Sequence, residues 1–236
     1  MKTYIWTLPT RMFHWLFAIS FATAYLLGGE ENNLSLHAAL GSLIGALIFF
    51  RIIQGFTGPR YARFSDFPVS PASLRSFITN MKDSKASHPG HNPLASVIML
   101  CIMVAALVSA CSGMLILASG ETGFLGIRLT VLNKDVFEEI HEVVVNIFLG
   151  LVGVHLGGIL TDTLLHRENG TIFSIFTGYK TIEAGEAKLT LSQKIFSVLW
   201  FVIPLTLFLY VILYQPMPAG ENENTEQVGD TDKDED

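Results

Sequence analysis

Only two of the 236 residues are cysteines, and Cys101 and Cys111 stand ten apart in one apolar stretch. Ten residues of helix separate them by about 15 Å, which excludes a disulfide between them. No Cys-x-x-Cys-His occurs, so covalent haem attachment of the c type is excluded. Gly-x-Gly-x-x-Gly and Walker patterns are missing as well, and with them the usual marks of a bound nucleotide. Charge is equally scarce: charged residues make up 15% of the chain against 50% hydrophobic, with a mean hydropathy of +0.45. That balance points to a protein whose solvent is lipid, and no nucleic-acid partner is expected.

A helix crossing the hydrocarbon needs roughly 20 mainly apolar residues, and five stretches qualify: 12–29, 36–56, 94–119, 140–161 and 195–214. The first has a rival reading. A short basic start, an apolar run and Ala22-Thr23-Ala24 resemble a cleavable signal, and cleavage would discard His14. Of fifteen basic residues, twelve fall on one side of these spans: Lys2 and Arg11, six from Arg51 to Lys85, and four from Arg167 to Lys194. Loops near spans carry excess Lys and Arg on the cytoplasmic side. The N-terminus is therefore expected in the cytoplasm, and the tail at 215–236 in the periplasm of a bacterial inner membrane. From Glu221 onward the tail has eight acids and one lysine, so the rest of the chain is nearly neutral. Such a run reads as a disordered solvating segment, or more sharply as a lure for a basic periplasmic partner.

Four of the seven histidines, His14, His37, His141 and His155, lie inside or at the ends of spans, where ionisable residues are rare and functional by default. Tracing the spans to and fro sets His14 and His155 at an inner depth and His37 and His141 at an outer one. Each pair joins two helices. Fourteen residues separate His141 from His155, which returns the second side chain to within about 40° of the first and about 21 Å along the axis. Paired imidazoles suit iron, and two axial histidines leave no open position for oxygen, which favours electron transfer. The pattern predicts two haems b, an inner one on His14 and His155 and an outer one on His37 and His141.

Small residues follow these histidines at helical spacing: Gly41 and Gly45 after His37, and Gly150, Gly153, Gly157 and Gly158 around His155. They predict clearance for a flat macrocycle, or close helix packing in the plainer reading. Arg51, on the His37 stripe, and Arg11, one turn before His14, are candidates for haem propionates, or else anchors at the membrane surface. In the loop between spans two and three, Leu74, Phe77, Ile78 and Met81 predict an interfacial helix, and Asn92 before Pro93 predicts a helix N-cap. His88 and His91 form a His-x-x-His that lacks companions for a metal site. His91 and His166 are candidates for proton uptake by a quinone.

The motifs Arg11-Met-Phe-His14-Trp15, His37 with Gly41, Gly90-His91-Asn92-Pro93-Leu94, His141, His155, His166-Arg167-Glu168-Asn169 and Thr177-Gly178-Tyr179-Lys180 come in order along the chain. Together they resemble the bacterial cytochrome b561 group, which includes the b-type cytochrome subunit of nickel-iron hydrogenases, over about residues 5 to 180. The resemblance implies a four-helix core with two b haems, ligated by the matching four histidines, and electron exchange between the quinone pool and a partner protein.

The expected fold is thus all-α and integral to the membrane, a four-helix transmembrane haem-binding bundle plus a fifth C-terminal helix. Residues 1–180 form the di-haem domain, 181–214 a connector and the fifth span, and 215–236 the tail. The expected role is that of an electron-transfer subunit of a respiratory complex, with lipid and quinone as membrane partners and a periplasmic c-type cytochrome or redox enzyme, such as a hydrogenase, as the other. A haem-free transporter or channel using its histidines as a proton relay is the reading from another class.

Overall fold

The computed structural model describes residues 2–29, 31–80, 88–130, 132–166, 168 and 170–217. Met81 and the acidic run from Glu221 lie outside them. In chain order the elements are β1 (Lys2–Tyr4), α1 (Leu8–Leu26), α2 (Leu34–Thr57), α3 (Pro71–Thr79), α4 (Pro93–Ser119), α5 (Lys134–Leu165), α6 (Thr171–Thr177), β2 (Tyr179–Thr181) and α7 (Leu191–Tyr214).

The helix starts follow from capping chemistry. Pro9, Pro71 and Pro93 stand in the first turns of α1, α3 and α4, where the missing N–H has no intrahelical partner to lose. The Asn92 side chain accepts from the Ala95 N–H at 2.8 Å, as its place before Pro93 predicts. At α7, Thr190 and Gln193 close a reciprocal capping box. A short helix, α3, does lie between the second and third expected spans and carries Leu74, Phe77 and Ile78.

Four helices, α2, α4, α5 and α7, are long and apolar enough to cross a membrane. The remaining expected span, α1, is 19 residues long but does not share that apolarity. Thr10, Arg11 and His14 dilute its first half, so its course must be read from packing instead. That course is clear: α1 begins beside β2 and α6, and ends where Ala24 meets His37 at the start of α2. Two ends of the helix array can then be told apart. One is rich in loops and carries β1, β2, α3 and α6. The other carries the α1–α2 turn and the 120–130 loop.

Packing in the middle rests on small residues. Ala24 of α1, Leu40, Ile44 and Ile48 of α2, Met103 and Ala106 of α4, and Phe148 of α5 share one core. Phe148 lies 4.0 Å, ring to ring, from Phe21 of α1. A Cβ on Gly45 would come within 3.0 Å of Ala110 and Met114, so α2 and α4 approach closely there. On the far side of α2, Trp200 of α7 is fully buried against Leu43 and Leu47 and donates its indole N–H to the Leu47 carbonyl at 3.0 Å. By contrast, only 6% of the most apolar stretch of α5 is buried, which leaves most of that helix to face lipid or a partner.

At the loop-rich end, β1 pairs antiparallel with β2, Thr3 opposite Lys180. Gly178 makes this possible: its φ is +89°, and a Cβ there would strike Tyr4 and the Trp6 carbonyl. At the other end α7 runs out into Gln215, the residue at which the tail is expected to begin. Gln215 is buried, accepts from the Leu125 N–H and donates to the Gly123 carbonyl, since an apolar helix end needs its polar exit tied down. The two cysteines are free and exposed.

Candidate functional site

His37 and His141 come from different helices and meet at the end away from the loops. Their ring centres lie 6.1 Å apart with planes at 72°. The Nδ1 of His37 bonds to the Ala24 carbonyl at 2.9 Å, and the Nδ1 of His141 to the Ser109 carbonyl at 2.9 Å, with the Ser112 hydroxyl at 3.1 Å. A carbonyl can only accept, so both Nδ1 atoms carry the proton and both Nε2 atoms keep a lone pair. Metal-bound histidines are commonly held in this way, with the other ring nitrogen donating to a backbone carbonyl.

The two rings border an apolar cavity of about 150 Å³. Gly41, Ser42, Ala110, Gly113 and Phe148 also line it. Of the glycines predicted to give clearance, Gly41 lines the cavity with nothing within 4 Å of where a Cβ would stand, whereas Gly150, Gly153, Gly157 and Gly158 lie on the exposed face of α5. Gly45 serves helix packing instead. Gly113 keeps His141 free, because a Cβ there would stand 3.2 Å from its Cε1.

These features test whether haem b fits. Two imidazoles bound to one metal through bonds of about 2 Å have ring centres about 6 Å apart. The observed spacing meets that requirement, the Nδ1 bonds leave both Nε2 atoms free, and Gly41 and Gly113 line the apolar cavity beside them. The outer histidine pair fits the axial ligand set of one haem.

The inner pair is placed toward the loop-rich end. His14 and His155 stand within electrostatic reach of each other, and His14 keeps a buried Nδ1 without a hydrogen-bond partner. Arg51 is 3% exposed, its guanidinium lies 5.7 Å from the Phe64 ring centre, and one terminal nitrogen lacks a partner. A buried, partly unpaired guanidinium is costly alone and fits a carboxylate. Arg11 donates to the Phe176 carbonyl at the end of α6, leaving its Nε unpaired. The donor set thus fits a second haem with an acidic edge.

Beyond this pair lies a polar cap of loop residues. His91 is sandwiched between Trp6 at 4.8 Å and Phe67 at 5.1 Å, and neighbours Lys180, Arg51, His155 and His14. Burial and these neighbours hold its pKa well below the usual imidazole value. Lys180 is buried too, donates to the His88 and Gly90 carbonyls at 3.2 and 3.0 Å, and has its pKa pushed down to about 8 by desolvation. His166 bonds Asp162 at 3.1 Å.

Sequence reasoning missed three parts of this arrangement. Ser109 and Ser112 hold His141, and two serines three apart in so apolar a span were the available signal. Trp6 donates to the Ser174 hydroxyl at 3.0 Å and helps roof the inner site. Gln54, one turn beyond Arg51, is 2% exposed with its Oε1 unpaired; a buried amide in a lipid-spanning helix is a signal that spacing alone did not raise.

The family model described as prokaryotic cytochrome b561 matches residues 5–178, a range that takes in all four intramembrane histidines and stops short of α7. No curated protein and no solved structure matches the chain.

Proposed function

This chain belongs to the prokaryotic cytochrome b561 family, and we propose that it is a di-haem b-type membrane cytochrome carrying electrons between a periplasmic redox partner and the quinone pool. The observation that carries the reading is the outer histidine pair: two imidazoles 6.1 Å apart, each fixed through Nδ1 to a carbonyl, beside an apolar cavity. Haem b bound by paired histidines supplies one-electron redox chemistry with no open coordination position.

The chain's own residues do the rest. Ala24 and Ser109 set the tautomer and direction of His37 and His141, so that both Nε2 atoms are presented as ligands. His14 and His155 hold the inner group, with Arg51 neutralising an acidic edge and Arg11 adding a second guanidinium nearby. Trp6, Phe67 and His91 pack together over that end. In this reading α1, α2, α4 and α5 form the haem bundle despite the modest apolarity of α1, and α7 is a fifth span outside it. The loop-rich end faces the cytoplasm and the end bearing Gln215 faces the periplasm.

A reduced-minus-oxidised absorption spectrum of the detergent-purified chain, with haem counted per polypeptide, tests this. Two low-spin b haems are expected, His37→Ala disturbing one and His155→Ala the other. A colourless protein after haem-replete expression overturns the reading and favours a proton relay through the same histidines.

A further inference from the structure

Helix α5 carries its histidines on one face and leaves the opposite face bare. At about 100° per residue, His141, Phe148 and His155 point within about 40° of one another, while Asn146, Gly150, Gly153 and Gly157 gather within about 60° around the opposite direction. These four are exposed, and no atom lies within 4 Å of where a Cβ would stand on any of the three glycines. We propose that this face docks a transmembrane helix of another polypeptide, one that carries Lys or Arg just beyond the His141 end of its span. The proposal is independent of the cytochrome reading, because the face lies opposite His141 and His155 and requires neither haem nor electron transfer.

Asn146 is the first reason. It lies five residues after His141, about 8 Å further into the span. Its Nδ2 donates to the Glu142 carbonyl at 2.9 Å, which leaves a second N–H and the Oδ1 without a partner among the described residues. An amide turned toward hydrocarbon costs free energy, and polar side chains in spans accordingly face other helices. The glycines show what kind of neighbour fits. With no side chains at Gly150, Gly153 and Gly157 a second backbone can come close, and the four-residue spacing of Gly153 and Gly157 is one at which helices in lipid pack through small residues. A lipid tail can fill the groove but offers Asn146 no hydrogen bond.

Charge selects the occupant. Asp135, Glu139 and Glu142 continue the same face toward the start of α5, and all three are exposed. Asp135 stands in the first turn, where it answers the helix dipole; Glu139 and Glu142 stand past that turn, where the effect has fallen off. Neither has an ion pair among the described residues, and the nearby Lys134 is held by Glu138 at 2.9 Å. A second copy of this chain, inserted in the same orientation, would set these carboxylates against their own equivalents. A helix with basic residues at that end meets them with opposite charge, which favours the right partner and suppresses the wrong one.

Photocrosslinking in the membrane tests the assignment. The full chain, with p-benzoylphenylalanine in place of Leu160, an exposed residue at the edge of this face, is co-expressed with a designed leucine-based single span. That probe carries a Gly-x-x-x-Gly pair, one Asn at the depth of Asn146, and two Lys beyond its outer end. A crosslink to the probe is expected, reduced about tenfold by G153I, by N146L, and by Glu in place of the two probe lysines. N146Q, which keeps the amide, is expected to crosslink like the parent, and thermal unfolding of each variant confirms that its fold is kept. No crosslink to the probe, equal yields from the parent, G153I and N146L, or equal yields from Lys- and Glu-ended probes overturn the proposal. Preferential crosslinking between two copies of the chain overturns it as well and assigns the face to a dimer.

Discussion

Gly41 tests the cavity most directly, since a Cβ there touches nothing within 4 Å. We expect Gly41→Phe to fill the space, to remove the outer haem from the difference spectrum and to leave the inner one; retention of both would count against the cavity as the haem cradle. The histidines were legible in the sequence, because depth along each span sets His37 level with His141 once helix rise is fixed. Which carbonyl each Nδ1 would meet depends on how α1 packs on α2 and α4 on α5, and no spacing encodes that. Lys180 offers a test by pH. Its folded pKa near 8 lies below the ordinary 10.5 through desolvation, so between those values the unfolded chain binds the extra proton and stability rises with pH. The parent is expected to gain melting temperature from pH 8 to 10.5 relative to Lys180→Met, which lacks the titrating group. Equal slopes would show that burial does not weaken the charged form.

For whole elements, four spans announced themselves through apolarity and α1 did so less well, for the reason that makes it interesting. Arg11 and His14, the residues proposed for function, lower the hydropathy by which a span is recognised. The two short strands were invisible, because three residues carry no usable periodicity and the pairing of β1 with β2 joins segments 177 positions apart at Lys180 and Thr3. Helix α7 stands outside the expected four-helix core, yet Trp200 packs it against Leu43 and Leu47 of α2. Trp200→Ala is expected to destabilise the protein by about 3 kcal/mol, and Trp200→Phe by about 1 kcal/mol through loss of the bond to the Leu47 carbonyl. Thermal unfolding in detergent, followed by circular dichroism, ranks the two; similar curves for the parent and Trp200→Ala would show α7 to be loosely held.

On the scale of the molecule, the two ends differ in charge as well as in shape, and that asymmetry makes orientation a physical prediction. The loop-rich end gathers Lys2, Arg11, Arg60, Arg63, Arg75, Lys180, Lys188 and Lys194, while the opposite end holds Arg128 and Lys134 beside Glu121, Glu138 and Glu139. Holding basic loops on the cytoplasmic side is the commonest determinant of topology. Odd numbers of crossings then separate the two termini, provided that α1 crosses despite Arg11 and His14. Alkaline phosphatase fused after Met217 is accordingly expected to be active, because it folds only when exported, whereas the same enzyme fused after Thr190 is expected to be inactive. Fluorescent-protein fusions at these sites should show the reverse. Activity at Thr190 and silence at Met217 would invert the protein and move the His14 and His155 end to the periplasm.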